Sequence, residues 1–138
     1  MLKIQLVKGY ENNKYLLKII NLELETFDKS LKSIYKIDRE INYYVLLLHD
    51  NLIGFLSYKE YDNKNIDIYN FIIKKEYQNQ KLGQQLINQL LNYNIVLEVS
   101  SKNYQALNFY YKNNFKIIQE LPNYYDGIMG YRMYREGK

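Results

Sequence analysis

Between the apolar run IYNFII and the amphipathic QQLINQLL, the sequence carries EYQNQKLGQQL over residues 76–86. A strand that ends in such a turn and opens directly into a helix presents several main-chain N–H groups without internal partners. The helix dipole adds partial positive charge there, so the segment from Gln78 to Gln84 has the makings of an anion site. Gly83 would let the backbone approach a ligand or a neighbouring strand closely. The same residues also suit an ordinary strand-to-helix turn, and one glycine does not choose between the two.

Two side chains could do proton chemistry. Glu98 is the one charged residue in IVLEV, where Ile95, Leu97 and Val99 share one face of a strand and Val96 and Glu98 the other. A carboxylate in a buried strand is costly unless it is paired or wet. Glu98 therefore either faces a solvent-filled cleft, where partial desolvation would make it a competent general base, or makes a structural hydrogen bond. Tyr110 follows on the next helix, on the face shared with Ala106 and Leu107, where a phenol and a carboxylate could border one cavity. With 17 tyrosines in the chain, packing is the competing role for any one of them. His49 ends a hairpin strand and has no catalytic role.

Composition narrows the remaining chemistry. The 138 residues fit a single domain able to bury one core. Cysteine is absent, which excludes disulfides, a thiol nucleophile and cysteine-ligated metals, and a lone histidine argues against a zinc site. The N-terminal MLKIQLVKGYENN lacks the pattern of a signal peptide, and no stretch approaches the roughly 20 apolar residues of a membrane span. A formal charge of +4 favours anionic partners, although the lysines are scattered and form no basic block.

The elements that must position these residues follow from periodicity. KIQLV (3–7) alternates as a strand; residues 12–27 have helical spacing, with a second short helix through Leu31 and Ile34. YYVLLLH (43–49) and LIGFLSY (52–58) flank Asp50-Asn51 as a tight hairpin. In NIDIYNFIIKK the apolar positions step from Ile68 to Phe71, which reads either as a β-bulge near Tyr69-Asn70 or as a strand buried on both faces. Leu82, Leu86, Ile87, Leu90 and Leu91 make a helical stripe, and NIVLEVS (94–100) a short buried strand. NYQALNFYYKNN (103–114) is a helix with Asn103 as N-cap and Asn114 in the left-handed position at its end. FKIIQEL and IMGYRMYR close the chain as strands joined by PNYYDG. The order β-α-α-β-β-β-α-β-α-β-β predicts an α+β or α/β domain with helices on a largely antiparallel sheet.

Together these stretches resemble the GNAT superfamily of acetyl-CoA-dependent N-acetyltransferases. That family's pyrophosphate motif, Gln/Arg-x-x-Gly-x-Gly/Ala at a strand-to-helix turn, is met at its first and last positions by Gln78 and Gly83. Lys81 stands at the first glycine; it is tolerable there if its φ stays negative, and its ammonium could meet a phosphate oxygen. LEVSSKNYQALNFYYKNNF resembles a segment of the ribosomal-protein alanine N-acetyltransferases and their eukaryotic N-terminal acetyltransferase relatives. Asn103, Ala106, Tyr110 and Phe115 are in register, with Asn114 at the family's glycine. NYYDGIMGYRM resembles the same subgroup's Tyr-Tyr loop and final strand. The resemblance weakens before residue 40, where the tryptophan-containing substrate segment of bacterial relatives has no counterpart.

The resemblance implies one α+β domain over residues 1–138 with the acyl-CoA N-acyltransferase fold, a mostly antiparallel sheet with a splayed parallel pair and about four helices. It implies that the main chain of Phe71, Ile72 and Ile73 pairs with the pantetheine arm of acetyl-CoA. Gln78, Asn79, Gln80, Lys81, Leu82, Gly83 and Gln84 would hold the pyrophosphate, and Asn103 would contact the cofactor. Glu98 becomes the general base, acting through water, and Tyr110 the acid that protonates the departing thiolate. Tyr124 and Tyr125 would contact the acceptor, no metal takes part, and CoA leaves as product. The implied enzyme is cytoplasmic and acetylates the N-terminal α-amine of a protein, a ribosomal protein among the candidates, with no membrane or direct nucleic-acid contact. Acetylation of a small amine, such as a polyamine or an antibiotic, is the competing enzymatic reading. A non-catalytic module docking on ribosomal RNA competes from another class; Glu98, Asn103 and Tyr110 standing in register oppose it.

Overall fold

The computed structural model describes residues 1–138. The elements run β1 (Leu2–Lys8), α1 (Leu16–Phe27), α2 (Lys32–Ile37), β2 (Ile41–Leu48), β3 (Asn51–Glu60), β4 (Asn65–Ile73), α3 (Leu82–Ile87), β5 (Asn94–Ser100), α4 (Tyr104–Lys112), β6 (Lys116–Tyr125) and β7 (Ile128–Arg135). This is the element order read from periodicity, and the class is α+β. Hydrogen bonding orders seven strands β1-β2-β3-β4-β5-β7-β6, with β4 and β5 parallel. The chain divides into two compact units, Met1–Lys59 with Asn70–Leu91 and Glu60–Tyr69 with Asn92–Lys138.

In the first unit, α1 starts at Leu16 rather than Asn12, because Asn13 folds the preceding chain into a local turn. Its Oδ1 accepts the Tyr15 N–H at 3.1 Å and its Nδ2 donates to the Gly9 carbonyl at 3.2 Å. The helix buries Leu16, Ile19, Ile20, Leu22 and Glu23. The β2–β3 turn falls one residue earlier than expected. Leu48 pairs with Asn51, and His49 and Asp50 are the turn residues, with φ of 49° and 66°. Two left-handed residues in a two-residue loop match the twist of the flanking strands, and histidine and aspartate tolerate that region better than most side chains. Leu46, Ile53, Leu82 and Leu86 form a buried cluster against which Phe71, Ile73 and Tyr77 pack. Strand β4 is thus covered from the α3 side by Phe71 and Ile73, while the Asn70 side chain reaches Glu23 of α1. At the apolar step read from sequence, the main-chain N–H of Asn70 donates to a side chain, Ser57 Oγ, at 3.1 Å.

In the second unit, β5 alternates as expected: Ile95, Leu97 and Val99 are buried, and Val96 and Glu98 are half-buried. Its parallel ladder with β4 covers only Asn65–Asp67 against Asn94–Val96. The Asn103 side chain caps α4 by accepting the Ala106 N–H at 3.2 Å, and Asn114 is left-handed at φ 69°. The PNYYDG segment, expected as a loop, is mostly strand. β6 continues to Tyr125, and only Asp126 and Gly127, at φ 50° and 90°, turn the chain into β7. Register irregularities after Ile117 and Leu121 let a strand containing Pro122 stay paired at the sheet edge. No helix is long and apolar enough to cross a membrane.

Candidate active site

The loop from Gln78 to Gln84 belongs to the first unit. Asn79 and Lys81 are both left-handed, at φ 63° and 62°, and Leu82 begins α3. Lys81 therefore occupies a glycine-type conformation, so the condition of a negative φ under which a lysine is readily tolerated at this position is not met. A left-handed residue followed by a right-handed one turns successive N–H groups towards the same side, a concavity that fits a phosphate oxygen. The helix itself contributes little, since α3 has six residues before it tightens into a 3-10 turn at Asn88–Leu90. Gln78 sits at the first position of the motif, but its Nε2 donates to the Ile73 carbonyl at 2.8 Å. Its amide ties the loop back onto the end of β4.

The same strand end is pressed close to β3. A Cβ at Gly54 would lie 2.9 Å from the Ile72 carbonyl oxygen and 2.8 Å from Ile73 Cδ1. Glycine is what lets the two backbones approach here, a requirement that alternation of apolar residues does not reveal.

In the second unit, Glu98 and Arg132 are cross-strand partners on β5 and β7, with Arg132 Nε 3.1 Å from Glu98 Oε2. Arg132 Nη1 also donates to Gln119 Oε1 at 2.6 Å. Of the two alternatives for Glu98, the structure contains a structural ion pair at a half-buried position, and its Oε1 has no protein partner. Sequence reasoning missed Arg132. The signal was available only after the register of β7 on β5 was known.

Tyr110 is 8% exposed and packs its ring against Phe115, with centroids 5.3 Å apart. Burial, with Tyr125 adding to it, pushes its hydroxyl well above the usual phenol range. Tyr124 and Tyr125 meet edge to face at 5.0 Å. Burial, then Tyr124, then the Glu98 charge push the Tyr125 hydroxyl up to about 12. Tyr125 thus lies within electrostatic reach of both Glu98 and Tyr110, all three in one unit. Asn103 is exposed; its Oδ1 is engaged in the cap, while Nδ2 has no protein acceptor.

The profile of the acetyltransferase (GNAT) family matches residues 14–115. The chain belongs to that family, and its reaction is transfer of an acetyl group from acetyl-CoA. It is similar in structure to the ribosomal-protein-S18-alanine N-acetyltransferase from Escherichia coli, with a TM-score of 0.83, 20% identity, and 99% of this chain and 94% of that chain covered. NAA60 from Arabidopsis thaliana in complex with acetyl-CoA also gives 0.83, at 14% identity over 99% and 98%. The spermidine/spermine N-acetyltransferase SpeG from Vibrio cholerae gives 0.74, at 21% identity over 98% and 92%. No curated protein sequence matches significantly.

Proposed function

We propose that the acceptor is the N-terminal α-amine of a protein chain. The observation that carries this reading is the compensation of Glu98 by Arg132. A polyamine is a flexible polycation, and holding it selectively requires acidic groups whose charge is uncompensated. The carboxylate beside Tyr125 already has its counter-charge, and its neighbours are phenols. A neutral peptide main chain lying against two tyrosines fits such a surface better than a second or third ammonium would. The similar enzymes named above act on protein alanine and on spermidine or spermine at nearly equal identity, so the choice rests on this chemistry.

Nucleophilicity points the same way. An α-amine with a pKa near 8 is partly neutral at neutral pH, whereas a lysine amine near 10.4 takes about 3–4 kcal/mol more to deprotonate. One carboxylate acting through water suffices for the first. As nitrogen bonds to the acetyl carbon and the carbon–sulfur bond breaks, the amine proton passes through water to Glu98 Oε1, the oxygen without a protein partner. Tyr110, kept protonated by burial, donates to the sulfur. Because its hydroxyl is a weaker acid than a thiol, its contribution is a positioned hydrogen bond to the developing charge, and the departing thiolate takes its proton from solvent. The chain has no cysteine, so transfer is direct rather than through a thioester on the protein.

In this reading the Phe71–Ile73 main chain holds the pantetheine arm, residues 79–84 hold the pyrophosphate, and Gln78 fixes the loop that does so. Asn103 Nδ2 meets the cofactor. Tyr124 and Tyr125 line the acceptor. The test is an acetyl-CoA-dependent mass increase of 42 Da, roughly one acetyl group replacing one proton, on a peptide beginning with alanine, run beside spermidine. Acetylated peptide is expected; acetylated spermidine with an untouched peptide would overturn the assignment of the acceptor.

A further inference from the structure

Glu23 is fully buried in α1, and none of the roles above uses it. It falls on the same helical face as Leu16, Ile19 and Ile20, so a carboxylate stands where the core stripe calls for an apolar side chain. No cation pairs with it. Its Oε1 accepts the main-chain N–H of Leu31 at 3.1 Å; its Oε2 accepts the Tyr35 hydroxyl at 2.5 Å and Asn70 Nδ2 at 2.6 Å. Ser57 Oγ lies 2.9 Å from the Tyr35 hydroxyl and accepts the Asn70 main-chain N–H at 3.1 Å. Glu23, Tyr35, Ser57 and Asn70 therefore form a closed ring of hydrogen bonds.

With Glu23 ionised, the directions of those bonds are fixed. The Tyr35 proton goes to Glu23, so the Ser57 proton must go to the Tyr35 oxygen, which leaves the Ser57 lone pairs for the Asn70 N–H. Every donor in the ring has one acceptor, and three donors converge on a carboxylate. Such a ring fixes Asn70 through both its side chain and its main chain, on the residue immediately before Phe71. A merely structural core would be served better by leucine at position 23, because a buried charge without a counter-ion is costly.

We infer that Glu23 is a positioning residue, the post from which Tyr35, Ser57 and Asn70 hold β4 in the conformation that receives the pantetheine arm. The inference rests on the reading that the Phe71–Ile73 main chain holds that arm. It assigns the ring a role in cofactor binding that acts through the backbone, with no contact between Glu23 and the ligand. Glutamine cannot replace the carboxylate. Whichever way its amide is turned, an NH2 group faces either the Leu31 N–H or the pair of donors from Tyr35 and Asn70.

The test uses two probes against the full chain: CoA, and adenosine 3′,5′-bisphosphate, which keeps the nucleotide but lacks the pantetheine. Isothermal titration should show wild type preferring CoA, and Ser57→Ala, Asn70→Ala and Glu23→Gln each losing roughly tenfold in CoA affinity with bisphosphate affinity unchanged. Equal losses for both probes would mean general loosening of the unit and overturn the inference. So would an unchanged CoA preference in the variants. If Glu23→Gln does not fold, Ser57→Ala, which removes one oxygen, decides alone. Wild type binding both probes equally would instead remove Phe71–Ile73 from the site, and the inference with them.

Discussion

The Tyr110 carbonyl accepts the main-chain N–H of Phe115 at 3.0 Å, and the rings of the same two residues lie 5.3 Å apart. With the Asn114 N–H donating to the Tyr111 carbonyl at 3.1 Å, this is a Schellman end to α4, complete with its hydrophobic contact. The helix terminus and the proposed acid are one device: the left-handed Asn114 returns the chain so that Phe115 braces Tyr110. Asn114→Gly should leave stability nearly unchanged. Asn114→Ala should cost about 1 kcal/mol, or about 3 °C in thermal unfolding, because alanine is strained in that region. Turnover should fall with it, measured at saturating acetyl-CoA.

Glu98→Gln and Tyr110→Phe should each lower kcat by roughly a hundredfold, the usual size of a single general acid or base contribution, with CoA affinity by titration unchanged. Full activity in both would remove them from the chemistry. The pH profile carries the sign. The Tyr110 hydroxyl is held above its ordinary value, so its proton is retained well past the pH at which an exposed phenol loses it. The rate should therefore rise through about pH 8 as the α-amine becomes neutral, and should not fall again by about pH 9.5. A descending limb below that pH that is absent in Tyr110→Phe would contradict the burial. Stability has the same sense. The folded state holds this proton above the unfolded pKa, so that contribution is present below about pH 10 and is lost as pH rises through the raised value.

Lys81 bears on how the loop would grip a phosphate in the proposed reading. At φ 62° it is strained in a way glycine would not be, so Lys81→Gly should stabilise the protein by about 1 kcal/mol. If main-chain N–H groups do the holding, KM for acetyl-CoA should stay within about threefold; a tenfold rise would assign the grip to the ammonium instead. Thermal unfolding and initial rates on one pair of proteins read both.

Most of the fold was legible because its elements have strong local signatures. The β5 alternation, the Asn103 cap and the left-handed Asn114 each rest on a few neighbouring residues. The misses have one cause: they depend on what lies opposite. Arg132 meets Glu98 only through the β5–β7 register, and the PNYY segment is held in β6 because β7 pairs with Leu121 before it and with Tyr125 at its end. Gly54 looks unremarkable until the Ile72 carbonyl is placed 2.9 Å from its missing Cβ. Glu23 was the readable exception, since a carboxylate at the position where Leu16, Ile19 and Ile20 set the stripe could have been flagged from spacing alone.

Gly130 offers a way to test the acceptor side without touching a proposed chemical group. It lies on β7 beneath the tyrosine pair, where an added Cβ would sit 2.9 Å from Tyr125 Cε2 and 3.1 Å from Tyr124 Cβ. The nearest atom is on a ring, which can swing aside, so Gly130→Ala should fold. The cost is a displaced Tyr125, the phenol whose hydroxyl is pushed up to about 12 partly by the Glu98 charge. If Tyr124 and Tyr125 contact the acceptor main chain, KM for an alanine-initiated peptide should rise several-fold while KM for acetyl-CoA does not move. Unchanged peptide KM would take the pair out of the acceptor site. A fall in kcat with both constants unchanged would instead mean that Tyr125 supports Tyr110, whose hydroxyl it helps to push up, and that acceptor selection lies elsewhere.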